Sequence, residues 1–291
     1  MNKKNFVLIG LGGYVAPKHV KAIKELGHNL IAATDPKDSV GFIDSYFPNA
    51  KFFPEFERFD RYCNKIIDGG QKIDYVAICT PNHLHDAHCR FALRIGANAI
   101  CEKPLVLHER NLNSLIELEK RFNKRIYTIL QLRLNPNIKE LKEQIENENI
   151  YKSRDISLIY HTYRGPWYLY SWKNDISKSG GLFTNIGIHL ADILVYLFPG
   201  EVYVTNIYEN KPTKISGQLT IRNNTIYFEL SVEEKEMKRE LTINGQSIEL
   251  SVGFSDAHTR SYEQILNGNG FGIEDARPSI KLAERIRNLI R

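Results

Sequence analysis

Three glycines between an apolar run and a helix-forming stretch constrain this chain more than any other feature. Phe6 to Ile9 reads as a short buried strand, Gly10, Gly12 and Gly13 follow, and a helical pattern begins near Ala16 and carries through Leu26. Strand, glycine turn and helix in that order hold a nucleotide pyrophosphate. Glycines let the backbone approach the phosphates, and the free N–H groups of the helix start face the negative charge. Tyr14 and Val15 complete the turn. Because position 15 is Val, the spacing is not G-x-G-x-x-G; Gly10-x-x-Gly13-x-x-Ala16 fits, with one residue inserted. The next strand, Asn29 to Thr34, ends on Asp35. A carboxylate there suits the adenine ribose diol and repels a 2′-phosphate, so the expected cofactor is NAD in preference to NADP. A plain tight turn would require neither the helix, the second strand nor the terminal acid.

The 291 residues suffice for one large domain or two ordinary ones. A hydrophobic content of 42% and a charged content of 25% suit a soluble globular protein. No apolar run of membrane-spanning length and no signal peptide is visible, so a cytoplasmic protein with no membrane partner is expected. In that setting Cys63, Cys79, Cys89 and Cys101 read as reduced thiols. The net charge of +5 comes from basic residues scattered among acids. That excludes a nucleic-acid footprint but suits a multiply anionic small substrate.

From residue 5 to about 125, apolar strands alternate with amphipathic helices. Strands are expected at Lys51–Phe53, Tyr75–Cys79, Ala97–Cys101 and Ile126–Leu132, and helices at Phe56–Ile67, Asp86–Ile95 and Glu109–Phe122. This rhythm predicts an α/β, doubly wound parallel sheet of the Rossmann kind over residues 1–125. Ligands bind such sheets at the carboxyl ends of the strands, so the loops after Ile9, Thr34, Cys79 and Cys101 should share one crevice. Residues 126–291 read as a substrate-binding and oligomerisation domain of α+β type with a large, mainly antiparallel open sheet. Its expected strands are Asp155–Tyr163, Glu201–Tyr208, Lys214–Arg222, Thr225–Val232 and Arg239–Ile243. Asn223-Asn224 and Asn244-Gly245 are its expected hairpin turns. Helices are expected at Ile138–Glu148, Gly181–Phe198, Ala257–Leu266 and Asp275–Ile290, with a loop from Arg164 to Ser179. An open sheet with a free face predicts a partner subunit.

Three clusters could carry chemistry. Thr80-Pro81-Asn82-His83-Leu84-His85, with His88 and Cys89 behind it, fits no common zinc spacing, so no metal is expected. Thr80, Pro81, Asn82 and His85 are instead expected to line the nicotinamide side of the cofactor. Glu102-Lys103-Pro104 leaves a strand end on the same edge, with Glu102 and Lys103 expected against the cofactor. An amine there can hydrogen-bond both the nicotinamide ribose and a substrate hydroxyl, and burial beside a positive nicotinamide would lower its pKa. Alone, a Lys-Pro pair would read as solvated. The third cluster runs from Gly180 to Asp192. On a helix Asn185 and His189 are i, i+4 on one face, with Asp192 nearly below His189. A histidine so placed can take a proton near neutral pH while Asn185 orients substrate. Apolar flanks at Leu182, Phe183, Ile186, Ile188 and Ile193 turn this face inward.

These positions together resemble the Gfo/Idh/MocA family of NAD(P)-dependent sugar oxidoreductases. The likeness rests on the glycine turn ending in His19, Thr80-Pro-Asn-His83, Glu102-Lys103-Pro104 and Gly180-Gly181 with Asn185-x-x-x-His189, which span essentially the whole chain. Asn185 stands where many relatives have Asp. Within the family the sequence is most similar to the bacterial UDP-N-acetylglucosaminuronate 3-dehydrogenases. The segments that carry this are Gly13–His19, Asp38-Ser-Val-Gly41, Leu130-Gln131-Leu132-Arg133, Arg164-Gly-Pro-Trp167-Tyr168 with Ser171-Trp172-Lys173, Thr184–His189 and Gly253-Phe-Ser-Asp-x-His258. The resemblance implies NAD-dependent oxidation of the sugar C3 hydroxyl to a ketone, supplying a 2,3-diacetamido uronic acid for a surface polysaccharide such as O-antigen. It also implies a homo-dimer or homo-tetramer, and in some relatives 2-oxoglutarate as hydride acceptor.

His189 is expected as the base and Lys103 as the group polarising the oxygen, with the reverse assignment open. Arg164 and Lys173 are expected to meet the UDP-sugar's charge, and Trp167, Tyr168 and Trp172 to stack. Gln131, Arg133 and His258 are further candidates. Rival readings are a UDP-N-acetylglucosamine 3-dehydrogenase, a free-sugar or inositol dehydrogenase, and an NAD-binding protein without catalysis.

Overall fold

The structure, a computed structural model, describes residues 2–148, 152–250 and 256–290. The chain forms two compact units that interleave in sequence. The first is Met1–Val106, Arg110–Ile129 and His258–Asp275; the second is Leu107–Glu109, Leu130–Ala257 and Ala276–Arg291. The sequence suggested one cut near residue 125. Instead the chain returns to the first unit after residue 257, because the face of helix Ala257–Leu266 that carries Tyr262 and Ile265 joins that unit's apolar core.

The first unit holds one sheet of six strands: β1 (Asn5–Ile9), β2 (Asn29–Thr34), β3 (Lys51–Phe53), β4 (Tyr75–Ile78), β5 (Asn98–Cys101) and β6 (Ile126–Thr128). Their order is β3-β2-β1-β4-β5-β6 and every pair is parallel. Phe6 to Ile9 and all of β4 are buried, as continuous apolar strands covered on both faces must be. Helices Ala16–Glu25, Phe56–Asp68, His85–Arg94 and Arg110–Phe122 make the crossovers. The expected strand Ile126–Leu132 stops at Thr128, since β5, its one neighbour, ends at Cys101 opposite Thr128. A short 3-10 helix, Gln131–Leu134, takes the remaining residues.

The second unit's sheet contains β7 (Asp155–His161), β8 (Val202–Asn210), β9 (Lys214–Ile221), β10 (Asn224–Ser231), β11 (Lys238–Ile243) and β12 (Gln246–Glu249). Their order is β12-β11-β7-β10-β9-β8, antiparallel except for the β7–β10 pair. Asn244-Gly245 is a two-residue hairpin turn with both residues at positive φ, 49° and 83°. The β9–β10 turn is Arg222-Asn223 and not Asn223-Asn224. Asn224 already pairs with Ile221 and is buried in the ladder, so Arg222 takes the positive φ of 53°.

Two local departures bear on function. The stretch expected as a loop, 164–179, contains short helices Trp167–Tyr170 and Ile176–Ser179. The helix expected from Gly181 to Phe198 instead opens with a π-helical turn, Phe183–Gly187, before α-helix Ile188–Leu197. By length and composition the stretch Ile176–Leu197 could cross a membrane, contrary to the sequence reading. Its window is 83% buried inside the protein, and Gly180 interrupts it in a left-handed conformation. Phe183 packs edge-on against Phe228 of β10, which makes this stretch the cover of the sheet.

Candidate active site

The sheet order of the first unit reverses direction between β1 and β4, and the loops at that switch point are built at backbone contact distance. Gly10 has φ 93°, and a Cβ there would lie 2.7 Å from the Cys79 carbonyl carbon and the Thr80 nitrogen. At Gly13 a Cβ would lie 2.7 Å from the Cys79 carbonyl oxygen. Those are main-chain atoms that cannot swing aside, so only glycine serves. Gly12 donates its N–H to Asp35 Oδ2 at 2.9 Å, and Asp35 Oδ1 accepts from the Lys37 N–H at 2.8 Å. The aspartate at the end of β2 is thereby aimed at the glycine turn. Helix Ala16–Glu25 has no side-chain cap; the Ala16 N–H donates to the Gly13 carbonyl at 3.1 Å, the Lys18 N–H to that of Val15 at 3.0 Å, and Pro17 carries no N–H. Tyr14 stands exposed beside Val15 at the turn.

The loop after β4 is braced from behind. Thr80 Oγ1 lies 3.0 Å from His88 Nδ1, and burial lowers the His88 pKa to about 4, which keeps the ring neutral. Pro81 is half-buried and Asn82 buried, while His83 faces solvent. His85 lies wholly inside, with Nδ1 2.7 Å from the Pro104 carbonyl oxygen and Nε2 2.8 Å from that of Thr80. It ties the Thr80 loop to the Lys103-Pro104 segment. The expectation that His85 lines the cofactor is therefore replaced by a bracing position, because both ring nitrogens are engaged inside.

Glu102 is likewise interior. Its Oε1 is 2.9 Å from His19 Nε2 and 2.9 Å from His258 Nε2, and its Oε2 accepts the Lys103 N–H at 3.3 Å. His19 Nδ1 is 2.7 Å from the Tyr262 hydroxyl. Burial opposes ionisation of Glu102, but hydrogen bonds from the two histidines outweigh it and hold the carboxyl well below its usual range. Burial lowers the pKa of His19 despite Glu102. The arrangement that satisfies every partner is a carboxylate accepting two imidazole N–H bonds, with Tyr262 donating to His19. His19, Glu102 and His258 are the one group of three metal-capable ligands among the described residues, their donor atoms within 4.8 Å of one another. Sequence reasoning placed Glu102 against the cofactor and His258 near substrate; both are committed here instead. Lys103 itself is half-buried.

In the second unit Asn185 is buried in the π-helical turn, and its amide nitrogen is 3.4 Å from the Tyr168 hydroxyl. Tyr168 is fully buried, so it supports Asn185 and offers no face for stacking. His189 is half-buried, its ring stacked on Tyr160 at 6.2 Å. Asp192, expected below His189, accepts both Nε–H and Nη2–H of Arg133, at 3.0 and 2.7 Å. That buried pair, with Arg133 also over the Tyr196 ring, engages an arginine that the sequence offered as a further substrate-binding candidate. Gln131 Oε1 and Thr184 Oγ1 are buried acceptors without a protein partner among the described residues, which suits a donor from a ligand. Trp167 is half exposed, and Lys173 Nζ sits 4.1 Å above the Trp172 ring and 6.0 Å from that of Trp167. Arg164 is half-buried at the start of this segment. Gly253, Phe254 and Ser255 of the motif before His258 lie outside the described residues.

Residues 4–129 match the oxidoreductase family NAD-binding Rossmann fold, and residues 142–220 its C-terminal alpha/beta domain. The structure superposes on the WlbA (WbpB) dehydrogenase from Thermus thermophilus in complex with NAD and alpha-ketoglutarate. The TM-score is 0.94 and the identity 43%, over 98% of this chain and 95% of that one. The same dehydrogenase in complex with NAD and UDP-GlcNAcA gives 0.93 and 43%, over 98% and 94%. Myo-inositol 2-dehydrogenase of Thermotoga maritima is 28% identical over 45% of this chain, a match spanning 37% of that enzyme's length.

Proposed function

From the chain's membership in the Gfo/Idh/MocA oxidoreductase family, we propose that it is an NAD-dependent dehydrogenase of a UDP-linked N-acetylamino sugar. The substrate that fits best is UDP-N-acetylglucosaminuronic acid, oxidised at C3 to the ketone. The carrying observation is the 43% identity, over 98% of this chain, to a dehydrogenase that binds NAD and UDP-GlcNAcA. The glycine turn closed by Asp35 supports the choice of NAD.

Bound NAD would supply the acceptor for the C3 hydride, two electrons and one proton leaving carbon together. The protein's part is to position the sugar and to handle the hydroxyl proton. Lys103 polarises the C3 oxygen and His189 takes its proton, giving the ketone and a protonated imidazole. Asn185, an amide that cannot titrate, orients the sugar from its Tyr168 support. Lys173, held over two indole rings, meets the diphosphate or the uronic carboxylate with Arg164, while Trp167 and Trp172 give the flat surface. Gln131 Oε1 is a further acceptor for a sugar hydroxyl or amide.

The ketone would feed amination at C3 for a surface polysaccharide such as O-antigen, in a cytoplasmic homo-dimer or homo-tetramer. We propose 2-oxoglutarate as the acceptor that restores NAD, because the Thermus relative forms a complex with NAD and alpha-ketoglutarate. The test is turnover of NAD-loaded protein on UDP-N-acetylglucosaminuronic acid, UDP-N-acetylglucosamine and myo-inositol, with and without 2-oxoglutarate. The uronic acid should be preferred. Preference for UDP-N-acetylglucosamine would remove the carboxylate from the account, and preference for inositol would remove the nucleotide.

A further inference from the structure

Lys103 is the residue on which the proposed chemistry turns, yet what holds it comes from two remote parts of the chain. His19 projects from helix Ala16–Glu25, and His258 and Tyr262 lie one turn apart on helix Ala257–Leu266. All three are buried, as is Glu102. The hydrogen bonds run from the Tyr262 hydroxyl to His19, from His19 to Glu102, from His258 to the same Glu102 oxygen, and from the Lys103 N–H to the other. The rings also pack edge to face, His19 on His258 at 5.0 Å and on Tyr262 at 5.6 Å. An ionised carboxylate inside a protein is tolerated only when its lone pairs are taken by such donors. Every link here has one.

We infer that His19, His258 and Tyr262 are positioning residues for catalysis: through Glu102 they hold the backbone of Lys103 in the place from which its amine acts. The helix that the chain sends back from the second unit is then part of the first unit's reactive edge. The inference rests on the reading that Lys103 acts on the sugar hydroxyl. The rival occupation of the cluster is a divalent metal bound by His19, Glu102 and His258. The geometry favours hydrogen bonds, because Glu102 Oε1 lies 2.9 Å from both histidine nitrogens, closer than two ligands each about 2.1 Å from a shared tetrahedral zinc would sit.

The test compares His19→Leu and His258→Leu with His19→Gln and His258→Gln, whose amide N–H can replace the imidazole donor. Each leucine variant should lose turnover about tenfold or more while NADH affinity stays within about twofold, and each glutamine variant should recover part of the loss. Tyr262→Phe keeps the ring in the core and removes one donor, so it decides the matter if a leucine variant fails to fold. It should lower kcat about threefold with KM unchanged. Amide hydrogen exchange at Lys103 should quicken in the leucine and phenylalanine variants. That readout needs no substrate, so it stands even if the wild type turns over none of the UDP-sugars and the functional reading fails. Unchanged exchange at Lys103, glutamine variants as slow as leucine variants, or one equivalent of zinc in the purified protein that Glu102→Gln abolishes would each overturn the inference.

Discussion

The two units solve their recognition problems with different parts of the chain. At the β1/β4 edge of the first, main chain supplies the candidate contacts: glycines pressed against the Cys79–Thr80 backbone and an aspartate pinned by two N–H groups. In the second, the candidate contacts are side chains on irregular segments, Lys173 over its indoles, Asn185 in a π-helical turn and His189 on Tyr160. The difference teaches where specificity can change. A backbone cradle accepts one kind of ligand and fails when a Cβ enters it. A side-chain surface can be retuned one residue at a time. On this account first-unit substitutions should alter cofactor or chemistry, and second-unit ones, the base His189 apart, should alter the sugar.

The largest effect should come from Lys103→Met. Turnover should fall about a thousandfold while the NAD dissociation constant stays within about threefold, as expected when the group polarising the reacting oxygen is lost. Single-turnover kinetics beside NADH fluorescence titration separate the two, and loss of NAD binding would return Lys103 to the cofactor side. Next, Asp35→Ala should weaken NAD about tenfold and raise the NADP-to-NAD affinity ratio, since the ribose partner and the repelling charge go together. An unchanged ratio would break the assignment of the first unit's edge.

Much of this is legible in the sequence. Continuous apolar strands and the glycine turn give the doubly wound half because parallel sheets bury both faces. The register of the substrate side was not legible. Nothing in Asn185-x-x-x-His189 announces a π-helical turn, which arises where Gly187 packs so closely that a Cβ would lie 2.9 Å from the Phe183 ring. The Arg133–Asp192 pair joins residues 59 apart, and the His19–Glu102–His258 group residues up to 239 apart along the chain. Pattern within a window cannot see such partners. The signal that could have found the last group was the recurrence of histidines in motifs that no ligand required.

A smaller effect sharpens the second unit's half. Lys173→Ala should raise KM for the UDP-sugar about threefold to tenfold, leaving kcat and NAD affinity unchanged, as for a partly exposed cation that binds ground and transition states alike. A fall in kcat would move Lys173 into the chemistry. The smallest effect concerns His88. Burial lowers its folded pKa to about 4, so the unfolded chain, with an ordinary value near 6.5, takes the proton first. Its contribution to stability is therefore complete above pH 6.5 and lost as pH falls from 6.5 toward 4, by up to about 1.4 kcal/mol per pH unit. Urea unfolding of the wild type and His88→Gln across that window should show the variant's slope to be shallower. Parallel slopes would deny that the ring behind Thr80 is held neutral.

The most direct test of the central claim is isotopic. UDP-N-acetylglucosaminuronic acid deuterated at C3 is mixed with the NAD-loaded protein in a single turnover, and the nicotinamide product is analysed by mass. The account predicts one deuterium on the reduced nicotinamide and a 3-keto sugar in equal amount. Reduced nicotinamide without deuterium, or no reduction on a sugar that binds, would contradict it.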